Sequence, residues 1–168
     1  MNRTPHSIAL GAAAAIGLFA ASATTALDGK PRFPFPEGYR TWFHVKSAIV
    51  NEGSATPKYA GLHHIYANAP AMKGFETGTF PDGSIVVFDL LSLSVNPNHT
   101  ETEGDRKLVD VMMKDSQKYK ATGGWDFEEF VGNDKTSGAL TAEASATCAA
   151  CHAKSKTARD MVFTQVRQ

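Results

Sequence analysis

A short motif near the C-terminus constrains this chain more than any other feature. The segment Cys148-Ala149-Ala150-Cys151-His152 places two thiols three residues apart, with an imidazole directly after the second. This C-x-x-C-H spacing is the attachment signature of c-type haem. On a helical turn each thiol can form a thioether with a haem vinyl group, and the adjacent imidazole then lies beneath the iron. We therefore predict covalently attached haem c, bound by Cys148, Cys151 and His152, with His152 as the axial iron ligand.

Three other uses of the cysteines compete with this interpretation. A structural disulfide between Cys148 and Cys151 can form in an oxidising compartment. A thioredoxin-like redox pair is expected in a βαβ context near the chain's start, whereas this motif lies almost at its end. A zinc site needs two further ligands at suitable spacing, and the chain has only two cysteines.

The N-terminal segment predicts export. Arg3 is the only charge in the first 26 residues, residues 8–21 are almost wholly small or apolar, and small residues suited to cleavage follow. This order is typical of a cleaved secretory signal peptide, here residues 1–26. The apolar run is shorter than the about 20 residues that cross a bilayer, although an uncleaved anchor is the alternative. We expect a periplasmic mature protein that begins near Leu27 and has no stable membrane span.

The composition of the chain fits one ordinary globular domain, residues 27–168. Of the 168 residues, 42% are hydrophobic and 20% are charged, which is too apolar for a disordered chain. The 17 basic residues are matched by 17 acidic residues. Because a nucleic-acid-binding protein needs an excess of basic residues on one surface, no nucleic-acid partner is predicted.

The pattern of apolar runs and turn residues predicts an α+β fold. Strands are predicted over residues 41–50, 63–67, 84–93, 107–113 and 125–131, and the polar residues 96–104 are predicted to form a loop. Residues 69–75, with Asn68 as N-cap, and the Ala-rich residues 141–154 are predicted to be helical. We therefore expect an antiparallel β-sheet with flanking helices, the haem-bearing helix lying near the C-terminus.

Several segments together resemble the cytochrome P-460 family and its relative cytochrome c′-beta. The matching pattern covers nearly all of the mature chain and includes residues 36–42, 65–66, 77–83, 114–119, the C-x-x-C-H site and residues 160–165. The resemblance implies an antiparallel sheet with flanking helices, commonly assembled as a homodimer. It also implies a five-coordinate haem with a histidine like His152 on the proximal side.

The resemblance also assigns residues to the distal side of the haem. The P-460 cytochromes that oxidise hydroxylamine carry a lysine cross-linked to the haem in the strand after the Asp-Gly turn, and Phe88 stands at that position here. The cross-link is therefore predicted to be missing. In the c′-beta relatives phenylalanine caps the distal face, as Phe88 would. Asp110 matches the family's distal carboxylate and His63 its distal arginine.

Strand alternation supports two of these assignments independently. Asp110 shares a strand face with Leu108 and Met112, and a carboxylate among apolar neighbours is costly unless it has a partner or a function. His63 shares a face with Ile65 and Ala67. The alternatives are an Asp110 that faces water on an edge strand, a surface His63, and a Phe88 that only packs in the core.

The ligand on the sixth coordination position of the iron separates the candidate functions. Met112 and Met113 lie in an apolar strand, where core packing is the expected use. The candidates for a sixth ligand are Met72, Met112, Met113, His63, His64 and His99. An open position predicts a cytochrome that binds a small gaseous or nitrogenous ligand, nitric oxide foremost, with a role in nitrogen-oxide detoxification.

Two alternatives use the same haem differently. The first is a hydroxylamine-oxidising or peroxidase-like enzyme in which Asp110 and His63 are distal acid and base groups. The second is a periplasmic electron carrier with a closed sixth position. Each of these functions requires a redox partner protein or a diffusible ligand.

Overall fold

A single antiparallel sheet forms the body of the molecule. The computed structural model describes residues 29–155 and 159–166, so the predicted signal peptide lies outside the described residues. The strands pair in chain order, and they are β1 (Phe43–Val50), β2 (Gly61–Ala67), β3 (Ile85–Val95), β4 (Glu101–Lys114) and β5 (Trp125–Val131). The α-helices are α1 (Ala69–Thr77) and α2 (Ala142–Lys154). The predicted α+β fold with a C-terminal motif helix is confirmed. In the described part of the chain, neither helix is long and apolar enough to cross a membrane.

The hairpin between β3 and β4 is longer than predicted. Residues 101–104, predicted as part of a loop, belong to β4, and β3 continues to Val95. Glu103 pairs with Leu93 and Glu101 with Val95 in the ladder. Both glutamates are exposed. The sequence prediction was wrong there because polar side chains suggest a loop, whereas a solvated hairpin needs only its backbone groups to pair.

The two faces of the sheet pack against different parts of the chain. The register aligns Val86, Met112 and Phe127 across β3, β4 and β5 on one face. Ala71 of α1 and Ala149 of α2 pack against these three residues, so we call this the helix-covered face. The opposite face carries a second core of buried residues, namely Phe33, Tyr39, Val87, Val109, Val111 and Phe130. Burial on both faces explains why β3 is an almost continuous apolar run.

A buried ion cluster joins the segment before β1, residues 29–42, to the opposite face of the sheet. We call these residues the lead-in segment. Asp89 is fully buried and accepts hydrogen bonds from Arg40 Nε at 2.8 Å and Arg106 Nε at 2.9 Å. A buried carboxylate needs such partners, because its desolvation is otherwise uncompensated. The cluster joins residues distant in sequence and leaves the helix-covered face free for other chemistry.

Helix α2 is fixed at its start and on its inner side. Thr141 is the N-cap, and its side chain accepts a hydrogen bond from the Ala144 N–H at 3.1 Å. One turn later the Ser145 hydroxyl donates to Asp126 of β5 at 2.6 Å. Asp126 is 3% exposed and also accepts from Arg32 Nε at 2.8 Å. The helix that carries the cysteine motif is thereby held on the edge strand β5.

Candidate functional site

The cysteine motif occupies the last turns of α2. Cys148 is partly buried against the helix-covered core, Cys151 is exposed, and both are free thiols. His152 is partly buried. Both thiols are therefore available for covalent attachment to a group that lies against α2.

The His152 imidazole is held in one orientation. Its Nδ1 lies 3.0 Å from the Met161 carbonyl oxygen, and since a carbonyl only accepts, Nδ1 carries the proton and donates. The ring packs between Phe127 and Phe163, at centroid distances of 4.8 and 4.7 Å. Burial lowers the pKa of His152, whereas the hydrogen bond to Met161 raises it. The result is a neutral imidazole whose Nε2 lone pair is free, which is the form that ligates a metal.

The three predicted distal residues come together on the helix-covered face. Phe88 of β3 lies directly opposite Asp110 of β4 in the ladder. The His63 ring of β2 stacks on the Phe88 ring, with centroids 4.5 Å apart and an interplanar angle of 28°. His63 Nδ1 is buried and has no hydrogen-bond partner among the described residues. The strand alternation inferred from the sequence is confirmed, and the roles of these residues toward a haem stay predictions.

Asp110 belongs to a pair of carboxyl groups. The ladder places Glu129 of β5 directly opposite Asp110, and Glu129 forms an ion pair with Lys58. Burial raises the pKa of Asp110 to about 7, the negative charge of Glu129 adds to this shift, and Lys58 opposes it. Two negative charges this close repel each other, so the two carboxyl groups together keep one proton near neutral pH.

Tyr59 completes the cluster and was missed from the sequence. Its ring packs edge-on against Phe88 at 5.7 Å, and its hydroxyl lies close enough to the Asp110 carboxyl group to interact with it. Burial and the charges of Asp110 and Glu129 raise the pKa of Tyr59, so the hydroxyl keeps its proton. Alternation on β5 could have identified Glu129, which shares a face with Phe127. No pattern identified Tyr59, because it lies in a connection between strands.

The cysteine motif borders the same region as a group of five side chains that we call the distal cluster. Its members are Tyr59, His63, Phe88, Asp110 and Glu129. Burial and the negative charges of Asp110 and Glu129 raise the pKa of the Cys148 thiol. Phe127 and Glu129 are successive positions on the same face of β5, and Phe127 contacts His152 while Glu129 faces Asp110. A group attached to α2 would therefore lie beside the distal cluster.

The structure places the other candidates for a sixth ligand on both faces of the sheet and in a turn. Met112 is in the core, 6% exposed, and Met113 packs against the opposite face. His64 pairs with Asp89 in the ladder and so lies on the opposite face, and His99 is exposed in the β3–β4 turn. Within residues 29–155 and 159–166, no three His, Cys, Asp or Glu side chains form a metal-binding group. Met72 of α1 packs against the helix-covered core, so Met72 remains a candidate together with His63, which stacks on Phe88.

Comparison with known proteins gives one finding. The family model for cytochrome P460 matches residues 36–164, which is most of the chain. A search of curated proteins returns no match. The matched segment contains the cysteine motif, the distal cluster and the Met161 carbonyl that receives the His152 hydrogen bond.

Proposed function

Because the chain belongs to the cytochrome P460 family, we propose that it is an exported c-type cytochrome with one covalently attached haem. Family membership implies haem binding. Thioether bonds from Cys148 and Cys151 hold the haem in this proposal, and His152 is the proximal iron ligand. The observation that carries the proposal is the hydrogen bond from His152 Nδ1 to the Met161 carbonyl, which leaves Nε2 free beside two free thiols.

The residues present fit such a haem. A metal-ligating histidine almost always donates its second ring nitrogen to a carbonyl or carboxylate, and His152 does so here. His63 Nδ1 is buried and lacks a hydrogen-bond partner in residues 29–155 and 159–166, so it suits a polar group bound on that side of the region. A small ligand bound to the haem could thus partner a nitrogen that the described residues leave without one.

The distal cluster supports binding of a small ligand, nitric oxide foremost. Haem iron with an open coordination position binds diatomic ligands directly. The stacked rings of His63 and Phe88, with the Tyr59 ring against Phe88, form a largely apolar cap. Such a cap excludes bulky ligands and disfavours water, so it favours a small apolar ligand over a polar one.

The carboxyl pair favours a second candidate, an enzyme that uses peroxide or hydroxylamine. A group with a pKa near the working pH gives and takes protons efficiently, and the pKa of Asp110 is about 7. Steady turnover of peroxide or hydroxylamine by the purified holoprotein would favour this enzyme. Reversible nitric oxide binding without turnover would favour the binding function, and a low-spin spectrum of the reduced protein would favour an electron carrier.

Replacing the cap tests the proposed function. Phe88→Ala removes the ring next to the open position, so we expect carbon monoxide and nitric oxide to bind faster, because the ligand no longer displaces a ring. Stopped-flow absorption of the reduced protein measures this rate. Because Phe88 is only partly buried, the loss of stability should be smaller than the about 3–5 kcal/mol typical of a fully buried phenylalanine.

Phe130→Ala is the matched control. Phe130 is fully buried on the opposite face of the sheet, so its truncation should cost the larger free energy and leave the ligand-binding rates unchanged. Equal rates in Phe88→Ala and the parent protein would remove Phe88 from the distal cap.

A further inference from the structure

Two consecutive residues beside His152 adopt an unfavourable backbone conformation. Asp160 has φ 46° and Met161 has φ 68°, the left-handed region that residues with a Cβ atom seldom occupy. The turn is closed by paired hydrogen bonds between Arg159 and Val162, each 2.9 Å long. Such a conformation persists only where surrounding contacts hold it.

The Asp160 carboxylate supplies these contacts. One oxygen accepts from the Phe80 N–H at 2.9 Å. The other accepts from Lys114 Nζ at 2.7 Å and is approached by Trp125 Nε1 at 3.4 Å. Lys114 is 8% exposed, so this ion pair is shielded from water. One carboxylate thus fastens the turn to the segment before β3, to the end of β4 and to the start of β5.

The strained turn presents the carbonyl that orients the histidine. Met161 follows Asp160 directly, and its carbonyl oxygen accepts the 3.0 Å hydrogen bond from His152 Nδ1. We infer that Asp160, paired with Lys114, is a positioning residue for the proximal ligand, an inference that rests on the proposed function. It holds the Met161 carbonyl in place and thereby fixes the rotation and the proton position of the His152 ring.

This role has a consequence for the electronic properties of the site. A hydrogen bond from Nδ1 makes Nε2 a stronger electron donor, which favours ferric over ferrous iron. If Asp160 is removed, the turn can relax and the hydrogen bond weakens. The reduction potential should then rise, and the iron–histidine stretching frequency of the ferrous protein should fall.

The test compares three variants of the haem-loaded protein with the parent. Asp160→Ala removes the carboxylate, while Asp160→Asn keeps one acceptor oxygen and a residue type that tolerates left-handed backbone. Asp134→Asn is the matched control, since the exposed Asp134 also accepts several hydrogen bonds, from Thr136 and Ser137 in its own loop after β5. The readouts are the midpoint potential, from a spectroelectrochemical titration, and the iron–histidine band in resonance Raman spectra.

We expect Asp160→Ala to shift both readouts and Asp160→Asn to shift them less in the same direction. The control Asp134→Asn should match the parent. Parent-like values in Asp160→Ala would overturn the positioning role. If Asp160→Ala does not fold, the same two readouts are measured in Asp160→Asn and Lys114→Met. Parent-like values in both of these variants would overturn the positioning role. A separate variant, His152→Ala, tests the proposed function itself. If His152 is not the iron ligand, the absorption spectrum of this variant should equal that of the parent.

Discussion

The protonation of Asp110 couples the distal cluster to the stability of the fold. Its pKa of about 7 lies above the ordinary value of 3.8, because the carboxyl group is buried and faces Glu129. The folded protein therefore holds a proton that the unfolded chain releases between about pH 4 and pH 7. The free energy of unfolding should fall as the pH rises through this window. Glu129→Gln should reduce that fall by about 1.4 kcal/mol for each unit by which it lowers the pKa of Asp110.

Chemical denaturation of the holoprotein at several pH values between 4 and 8 measures this fall. The exposed carboxylate variant Glu76→Gln is the control and should keep the slope of the parent. Lys58 and Tyr59 also face Asp110, and both oppose the rise in its pKa. A slope in Glu129→Gln that equals the slope of the parent would show that the two carboxyl groups are not coupled.

Single residues of the site were predictable where strand alternation fixes their face. Asp110 and His63 lie on regular strands, so a period of two identified the neighbours that share their face. Phe88, and the grouping of all three residues, followed only from the family resemblance. Tyr59 and Asp160 lie in connections, where backbone direction depends on contacts distant in sequence. The left-handed backbone at Asp160 is an example, because its carboxylate partners come from segments 80 and 46 residues away.

At the scale of elements, the Ser145 side chain stabilises the packing of α2, the helix that carries the cysteine motif, on β5. The Ser145 hydroxyl donates to the buried Asp126 carboxylate and accepts from the Phe127 N–H at 3.2 Å. Ser145→Ala leaves these buried groups with fewer partners, so we expect a loss of about 1–3 kcal/mol in the free energy of unfolding. Denaturant unfolding of the holoprotein, followed by circular dichroism, measures this loss.

Thr147→Ala on the same helix is the control for this element. The Thr147 hydroxyl donates only to Glu143 within α2 and is exposed, so its removal should change the stability by no more than about 0.5 kcal/mol. Equal losses in the two variants would mean that α2 is not fastened through Ser145.

The same elements show why some boundaries could be predicted and others could not. The start of α1 followed from Asn68 as N-cap, whose side chain accepts from the Ala71 N–H at 3.0 Å. The position of α2 followed from the helix propensity of its Ala-rich sequence. These are local signals. The start of β4 at Glu101 depends on pairing with β3, and no local pattern in a polar segment reveals that pairing.

At the scale of the whole molecule, the sheet separates two kinds of core. The opposite face is closed by the lead-in segment and the ion cluster around Asp89. The helix-covered face instead combines an apolar core with the carboxyl pair and a buried His63 nitrogen that has no partner in the part of the chain that the structure describes. Polar groups of this kind are costly inside a protein unless a bound group or a function accounts for them.

The proposed export and the proposed covalent attachment together predict the mass and the extraction behaviour of the whole protein. The mature chain should begin near Leu27, and its mass should exceed that of residues 27–168 by one haem. Thioethers from Cys148 and Cys151 resist acid and organic solvent, so the haem of the parent should remain with the protein during such an extraction. A double variant, Cys148→Ala with Cys151→Ala, should release any haem that it binds. Intact mass spectrometry and absorption spectra of the extracted fractions measure both properties, and loss of haem from the parent itself would contradict covalent attachment.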